Sequence, residues 1–264
     1  MGLVAFFLGA IPVYWYGCTA AIAILIAFIT SWAIFRLNEE KTSVVWDVFI
    51  LVIPFCFIFS RLFHVLWKLP YYIDMPWRIV DFGSGGFSQY GAVVGFLIAI
   101  YLYSCWNDQP VWLLLDLLTV PAVLGLAVMQ IGHFFMQLTV GIPLPDPVAY
   151  QHTIAEYIEF RYRPSGFENY EYFLPVALYQ AMLQIIAAAG LFIVGRLKYR
   201  GIVLNDGCIF LSSVVICGLI RFGCGFLYLS AQPGLHTGQI ISLIVSLVAL
   251  LMLYYKFREK GRYY

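Results

Sequence analysis

Long apolar runs separated by short polar stretches make up most of the chain. About 20 consecutive apolar residues carry a helix across the hydrocarbon core of a bilayer. The runs are continuously apolar and do not alternate in ten-residue segments, which favours helices over the strands of a membrane barrel. We therefore predict an all-α polytopic membrane protein with about seven transmembrane helices, at about residues 11–35, 44–67, 91–106, 111–136, 174–195, 208–230 and 237–255.

The composition agrees with this pattern and excludes several classes of protein. Of the 264 residues, 62% are hydrophobic and 11% are charged. Soluble domains are about 45–50% apolar and about 25% charged, so an ordinary soluble fold is excluded. With a net charge of +1, the chain has too little positive charge to neutralise a nucleic-acid backbone, and we expect no nucleic-acid partner. We treat residues 1–264 as a single transmembrane domain.

Lysine and arginine are distributed unevenly between the two ends of the predicted spans. Cytoplasmic segments of membrane proteins carry the excess of these residues. With the N-terminus outside and the C-terminus inside, nine of the 15 basic residues fall in inner segments and four in outer ones. This orientation places two long loops, at about 68–90 and 137–173, on the outer face.

One arginine, Arg221, lies near the middle of the sixth predicted span. Ionisable groups at that depth are costly and usually face an interior or a wet cavity. The planar fork of donors on arginine suits a phosphate, and a lipid headgroup is the natural source of one. Pairing with Asp47 or Asp116 from a neighbouring helix is the structural alternative. Arg61, in the outer half of the second span, is a weaker second phosphate ligand or extends its side chain to the interface.

A histidine and a glutamine share one face of the fourth predicted span. Gln130 and His133 are three residues apart, which makes them neighbours on a helix. A single histidine in an apolar helix serves either packing or proton transfer, and an unperturbed imidazole has a pKa of about 6.5. The other three histidines have no metal-ligand spacing, and we expect no metal.

Glycines cluster between the second and third spans. Close helix packing is one interpretation, and a backbone cradle for a polar headgroup is the other. The glycines are Gly83, Gly85, Gly86, Gly91 and Gly95.

Several short motifs follow one another in a fixed order along nearly the whole chain. They are Trp15-Tyr16-Gly17, Ser60–Val65, Gly85–Gly91, Gln130–Phe134, Gly141 with Pro143, Leu174–Gln180, Arg221-Phe222 and Thr237–Ser242. In this order they resemble the motifs of the bacterial phosphatidylglycerol–prolipoprotein diacylglyceryl transferase family. The resemblance implies a fold of seven spans with the N-terminus outside and the C-terminus inside.

At several motif positions the chain departs from the family's polar pattern. Tyr90 stands where the family has histidine, and Gln130 where it has arginine. Other polar family residues are replaced by His133, Met136, Leu138, Leu174, Ala177, Gln180, Gly225 and Tyr228. Gln180 and Gly225 take the place of glutamates, and Tyr228 takes the place of an arginine. The chain is therefore similar to a divergent member with fewer charged residues in its motifs.

The resemblance implies a reaction and its partners. A diacylglyceryl group would pass from phosphatidylglycerol to the lipobox cysteine thiol of an exported prolipoprotein, and glycerol phosphate would leave. The partners would be phosphatidylglycerol, the prolipoprotein signal peptide and the membrane itself, with no cofactor. The location would be the bacterial plasma (inner) membrane.

The implied chemistry needs a base for the thiol and positive charge for the departing phosphate. We assign the base to His133, with Tyr90 or Tyr16 as its hydrogen-bonding partner, and the phosphate to Arg221. The catalytic candidates are thus His133, Tyr90 and Arg221. The predicted substrate-binding residues are Arg221, Arg61, Tyr16, Gln130, Gly141, Tyr179 and Gln239.

Two other functions remain open from the sequence. One is a non-catalytic relative that binds anionic lipid or lipoprotein signal segments. The other is a small-anion transporter that uses Arg221 as its anion site. A transporter is expected to show inverted repeats or paired broken helices, and neither is visible in the sequence.

Overall fold

Seven long apolar helices form the framework of the protein, which confirms the predicted number of spans and the all-α membrane class. The computed structural model describes residues 4–9, 11–81, 85–144, 154–160, 163–200, 204–229 and 237–260. Gly83 and parts of both predicted outer loops lie outside the described residues. The helices long enough to cross a membrane are α1 (Trp15–Leu37), α2 (Ser43–Trp67), α4 (Gln89–Asn107), α5 (Val111–Phe135), α6 (Val176–Tyr199), α7 (Cys208–Gly225) and α8 (Thr237–Lys260).

The first helix begins later than its apolar run predicts. Residues 11–14 form a strand, β2 (Ile11–Tyr14), which pairs antiparallel with β1 (Val4–Leu8). Gly9, with a φ of +64°, lies in the turn between them. Pro12 has no backbone N–H to donate, and residues 4–8 offer a partner strand, so these apolar residues extend the chain instead of coiling it.

The described helices group into two compact units, one formed by Met1–Thr30 with Leu118–Tyr264 and the other by Ser31–Leu117. We call them the large unit and the small unit. The division falls within α1 and within α5. Each unit holds its own set of candidate site residues.

In the small unit, α2 packs closely against α4 through two glycines. A Cβ on Gly91 would meet the carbonyl group of Phe59, and one on Gly95 would meet that of Phe55. Both glycines are buried, so only hydrogen fits at these positions. Between α2 and α4 lie a short helix, α3 (Leu69–Asp74), and a 3-10 helix (Pro76–Ile79).

In the large unit, four short strand segments form a small antiparallel sheet beside the ends of α5, α6 and α7. β3 (Glu156–Tyr157) pairs with β4 (Tyr172–Phe173). Phe173 pairs with Pro143, and Gly141 pairs with Tyr228. This sheet ends α7 at Gly225, five residues before the predicted end, because residues 227–229 form strand hydrogen bonds. It also delays α6 to Val176, because the N–H of Leu174 donates to Ile142.

Candidate functional site

Three of the predicted site residues meet where α1 runs beside α5. The ring of Tyr16 stacks on the imidazole of His133, with centroids 6.3 Å apart and planes 15° from parallel. His133 Nδ1 lies 3.2 Å from Gln130 Oε1. An amide oxygen only accepts, so this contact favours the tautomer with the proton on Nδ1, which in the neutral imidazole leaves the lone pair on Nε2. The predicted pairing of Gln130 with His133 on one helix face is present.

A close contact between the two helices fixes this arrangement. A Cβ on Gly132 would come within 2.6 Å of Thr19 Oγ1 and 2.7 Å of Thr19 Cβ. The Thr19 hydroxyl donates back to the carbonyl oxygens of Trp15 and Tyr16 in its own helix, at 3.1 and 3.0 Å. Gly132 therefore lets α1 approach α5, and Tyr16 comes to rest beside the residue that follows the glycine.

The positive charge of Arg221 acts on this group from α7. Its guanidinium interacts electrostatically with His133 and with Tyr228, which lies three residues beyond the end of the helix. Arg221 is half-buried. Two residues that lie 95 positions apart in the sequence are thus linked through one arginine.

Tyr228 is held in place by its side chain and by its backbone. Its hydroxyl donates to Gln180 Oε1 at 2.9 Å, and its backbone pairs with Gly141 in the small sheet. Burial raises the pKa of the Tyr228 phenol, while the nearby Arg221 charge acts in the opposite direction. The phenol therefore stays neutral and keeps its proton on the hydrogen bond to Gln180.

We name these six side chains the Arg221 cluster: Tyr16, Gln130, His133, Gln180, Arg221 and Tyr228. Sequence reasoning did not assign Gln180 or Tyr228 to the site. The one available signal was that both depart from the family's motif, at positions for a glutamate and an arginine. The structure shows that these two departures contact each other through a neutral hydrogen bond.

One predicted substrate-binding residue, Gln239, supports the cluster from outside. Gln239, at the start of α8, donates from Nε2 to the carbonyl oxygen of Phe222 at 3.3 Å. A Cβ on Gly225 would come within 2.6 Å of the Gln239 amide, so the glutamine occupies the space that a side chain at 225 would need. Gln239 thereby ties α8 to the turn of α7 that carries Arg221.

Gly141 and Tyr179 lie near the cluster in different roles. A Cβ on Gly141 would come within 2.7 Å of Val176 Cγ2 and would meet the carbonyl oxygen of Leu174. Glycine at 141 therefore lets the sheet pack onto the start of α6. Tyr179 is half-buried in the first turn of α6, one residue before Gln180.

A buried carboxyl group, that of Glu156, lies in the small antiparallel sheet, and sequence reasoning did not single it out. Glu156 in β3 is 3% exposed, and neither of its carboxylate oxygens has a hydrogen-bond partner among the described residues. Its strand neighbour Phe173 is fully buried. Desolvation raises the pKa of Glu156 to about 7.

Arg61 and Tyr90, the remaining predicted site residues, belong to the small unit. Arg61 is 4% exposed, and its guanidinium donates to the backbone carbonyl oxygens of residues 78, 79, 81, 85 and 86. Tyr90 is half-buried in the first turn of α4. A phosphate ligand needs free N–H donors. In this structure the N–H donors of Arg61 are bonded to these carbonyl oxygens, which speaks against its predicted role as a phosphate ligand.

Comparison with known proteins identifies the family. The sequence profile described as prolipoprotein diacylglyceryl transferase matches residues 3–255. The chain belongs to this family. Among its relatives, a phosphatidylglycerol–prolipoprotein diacylglyceryl transferase of Halalkalibacterium halodurans is 26% identical over 257 residues, 96% of this chain and 86% of the relative.

Other relatives of the same name cover the chain to the same extent. The protein of Lactobacillus johnsonii is 26% identical over 96% of this chain and 90% of its own length. The protein of Synechococcus sp. is 27% identical over 96% of this chain and 92% of its own length. The family resemblance drawn from the ordered motifs is thus confirmed, and the chain is a multi-pass membrane protein of a transferase family.

Proposed function

We propose that this protein transfers a diacylglyceryl group from phosphatidylglycerol to the lipobox cysteine thiol of a prolipoprotein in the bacterial inner membrane. The family match over residues 3–255 supports the reaction class. The observation that carries the proposal for this chain is the Arg221 cluster, in which an arginine acts on a histidine and a tyrosine from within a membrane helix.

Arg221 is proposed to bind the phosphate of the lipid headgroup. The glycerol phosphate leaves as an anion, so positive charge placed at the phosphate stabilises the transition state more than the bound lipid. A guanidinium offers paired donors to phosphate oxygens. Tyr228 and Gln239 hold the segment that follows Arg221 in place.

His133 is proposed to take the proton of the cysteine thiol. With Nδ1 hydrogen bonded to Gln130 and the ring stacked on Tyr16, the imidazole is fixed in orientation and in tautomer. The lone pair on Nε2 is then the proton acceptor. Tyr16 contacts the imidazole with its ring and is proposed to orient it, while Tyr90 stays a predicted hydrogen-bonding partner of His133.

The proposed step balances without a cofactor. The thiolate sulfur forms a bond to the glyceryl carbon that carries the phosphate ester, and the bond from that carbon to the ester oxygen breaks. The thiol proton passes to His133, and the electron pair leaves with glycerol phosphate beside Arg221. The products are the thioether-linked lipopeptide and glycerol phosphate.

A purified-protein assay tests this function. The protein in phosphatidylglycerol vesicles is incubated with a lipobox peptide, and mass spectrometry detects the added diacylglyceryl group. A peptide with serine in place of the lipobox cysteine is the control and should give no product. Rescue of a bacterial strain depleted of its own transferase is the matching test in cells, and failure in both assays would refute the proposal.

A second candidate function is binding of anionic lipid or of lipoprotein signal segments without catalysis. The neutral Tyr228–Gln180 hydrogen bond favours it, because the family pattern carries opposite charges at these two positions. The same assay separates the two functions. Peptide or lipid binding without any thioether product would favour the second.

A further inference from the structure

The Arg61 guanidinium makes five hydrogen bonds to backbone carbonyl oxygens. Nε donates to the carbonyl oxygen of Ile79 at 3.1 Å. Nη2 donates to those of Arg78 and Asp81 at 2.6 and 2.9 Å. Nη1 donates to Gly86 at 3.0 Å and also to Gly85. A guanidinium has five N–H donors, so these five carbonyls account for all of them.

Two aromatic rings lie beside the same guanidinium. The ring of Tyr72 lies 5.5 Å from Arg61 Cζ, and that of Phe87 lies 5.8 Å away. These contacts stabilise a cation that is removed from water. A lipid phosphate would have to displace backbone carbonyls and a ring to reach Arg61.

Gly86 shows how closely the loop is fitted around this side chain. Its φ is +80°, and a Cβ would come within 2.8 Å of both Arg61 Nη1 and His64 Nε2. Gly85 also has a positive φ, of +76°. The two glycines turn the chain so that both carbonyl oxygens reach the guanidinium.

Hydrogen bonds also connect α2 to the first turn of α4. Ser60 Oγ donates to the carbonyl oxygen of Ser88 at 2.8 Å, and the N–H of Ser88 donates to that of Ser60 at 3.0 Å. Ser88 is the N-cap of α4 and accepts from Gly91 N–H. Tyr90 lies between Ser88 and Gly91, so its backbone position follows from these contacts.

We propose that Arg61 is a positioning residue, which organises residues 78–81 and 85–88 and thereby places the start of α4 with Tyr90. We call Arg61 with its five carbonyl acceptors the Arg61 clamp. The link to catalysis rests on the proposed transferase function, whereas the clamp itself does not. Lysine keeps the charge but has only three donors from a single nitrogen, so it leaves at least two carbonyls unsatisfied.

Hydrogen exchange of the whole protein in lipid nanodiscs tests the clamp. In Arg61→Lys, amides of residues 78–81 and 85–88 should exchange at least tenfold faster than in the wild type. Arg78→Lys is the matched control, because the Arg78 side chain stacks on Tyr71 and Trp77 and not on the clamp. The control should leave the exchange unchanged, and unchanged exchange in Arg61→Lys would overturn the proposal.

Kinetics on the same variants separate positioning from phosphate binding. A positioning role predicts that Arg61→Lys lowers kcat at least tenfold while KM for phosphatidylglycerol stays within twofold. A rise in KM alone, with wild-type exchange, would instead make Arg61 a phosphate ligand and refute the proposal. If the wild type has no transferase activity, the proposed function fails while the exchange data still decide the clamp.

A second variant keeps the proposal testable should Arg61→Lys fail to fold. Gly86→Ala adds a methyl group against Arg61 Nη1 in an otherwise unchanged clamp. It should accelerate exchange over residues 78–81 and 85–88 in the same pattern. Wild-type exchange in Gly86→Ala would count against the clamp.

Discussion

Arg61 and Arg221 both lie in membrane helices of this protein, and their surroundings differ in kind. Arg61 in the small unit is buried and donates to backbone carbonyls of a neighbouring loop. Arg221 in the large unit is half-buried and acts on the side chains of His133 and Tyr228. The carbonyl contacts of Arg61 hold the backbone in place, whereas the side chains near Arg221 can accept or donate protons.

The comparison shows that an ionisable residue in a membrane span has more than one physical explanation. The cost of burying a charge is met at Arg61 by carbonyl dipoles and aromatic faces. No substrate is needed to account for that arginine. At Arg221 the neighbours are residues capable of proton transfer and hydrogen bonding, which is the setting expected of a reaction centre.

The largest expected effect comes from removing the Arg221 charge. Arg221→Ala should lower kcat/KM for diacylglyceryl transfer by about 10³-fold, because the departing phosphate loses its charge stabilisation. It should also abolish binding of phosphatidylglycerol vesicles by the protein. Arg221→Lys should recover at least tenfold of the lost activity, because lysine keeps the positive charge at the phosphate. Arg61→Lys should not recover in this way, because Arg61 acts through its five carbonyl contacts. Full activity of Arg221→Ala would refute the proposed role of Arg221 in phosphate binding, and with it the difference between the two arginines.

The next effect is a pH dependence of stability that comes from Glu156, in the sheet that carries Tyr228. The pKa of Glu156 is raised from 4.5 to about 7, so the folded protein favours the neutral carboxyl. Below pH 4.5 the group is protonated in both the folded and unfolded states. As the pH rises, the unfolded chain releases its proton first, and stability falls until the folded carboxyl ionises near pH 7. The total loss is about 3 kcal/mol.

Unfolding of the detergent-solubilised protein between pH 4 and pH 8 measures this loss. Glu156→Gln should remove this part of the pH dependence. Glu171→Gln is the matched control, since Glu171 is exposed and lies 3.8 Å from Arg163 in an ion pair. The same pH dependence in wild type and Glu156→Gln would contradict the assignment.

Loss of the proposed base should have a somewhat smaller effect. His133→Phe keeps a ring beside Tyr16 but removes the proton acceptor, so kcat/KM should fall by about 10²-fold. Added imidazole should restore part of the activity. A His133→Phe protein with unchanged transferase activity would sink the assignment of the base.

The smallest effect is expected from the hydroxyl of Tyr228. Tyr228→Phe removes the hydrogen bond to Gln180 but leaves the backbone pairing with Gly141. One such bond is worth about 1 kcal/mol, so kcat/KM should fall by about fivefold. Tyr157→Phe, in the exposed face of the same sheet, should change it by less than twofold. An effect at Tyr228 no larger than at Tyr157 would remove Tyr228 from the cluster.

The membrane architecture could be predicted because it depends on local composition. A run of apolar residues such as Val111–Phe135 spans the bilayer whatever its neighbours do, and the observed helix ends agree with the predicted ones to within one residue there. The prediction was wrong where apolar residues had a partner strand, as at Ile11–Tyr14. Pairing across a turn or a sheet is not visible in hydropathy alone.

The candidate site was only partly predictable for the same reason. Gln130 and His133 lie on one helix, so their contact follows from helical spacing. The contact of Tyr16 with His133 depends on the close approach of α1 to α5 at Gly132. Glu156 falls in the predicted outer loop at about 137–173. Only the fold, which places Glu156 in β3, removes its carboxyl from water.

By itself, the sequence determined the membrane class, the seven spans and the family, because these depend on hydrophobic runs and on the order of short motifs. Only the tertiary structure decided what each intramembrane arginine does. A guanidinium binds whichever acceptors the fold brings within about 3 Å, and the sequence does not state which these are. The loop that turns at Gly85 and Gly86 gives Arg61 its carbonyl partners, and the fold of the large unit brings the Arg221 charge close enough to act on His133 and Tyr228.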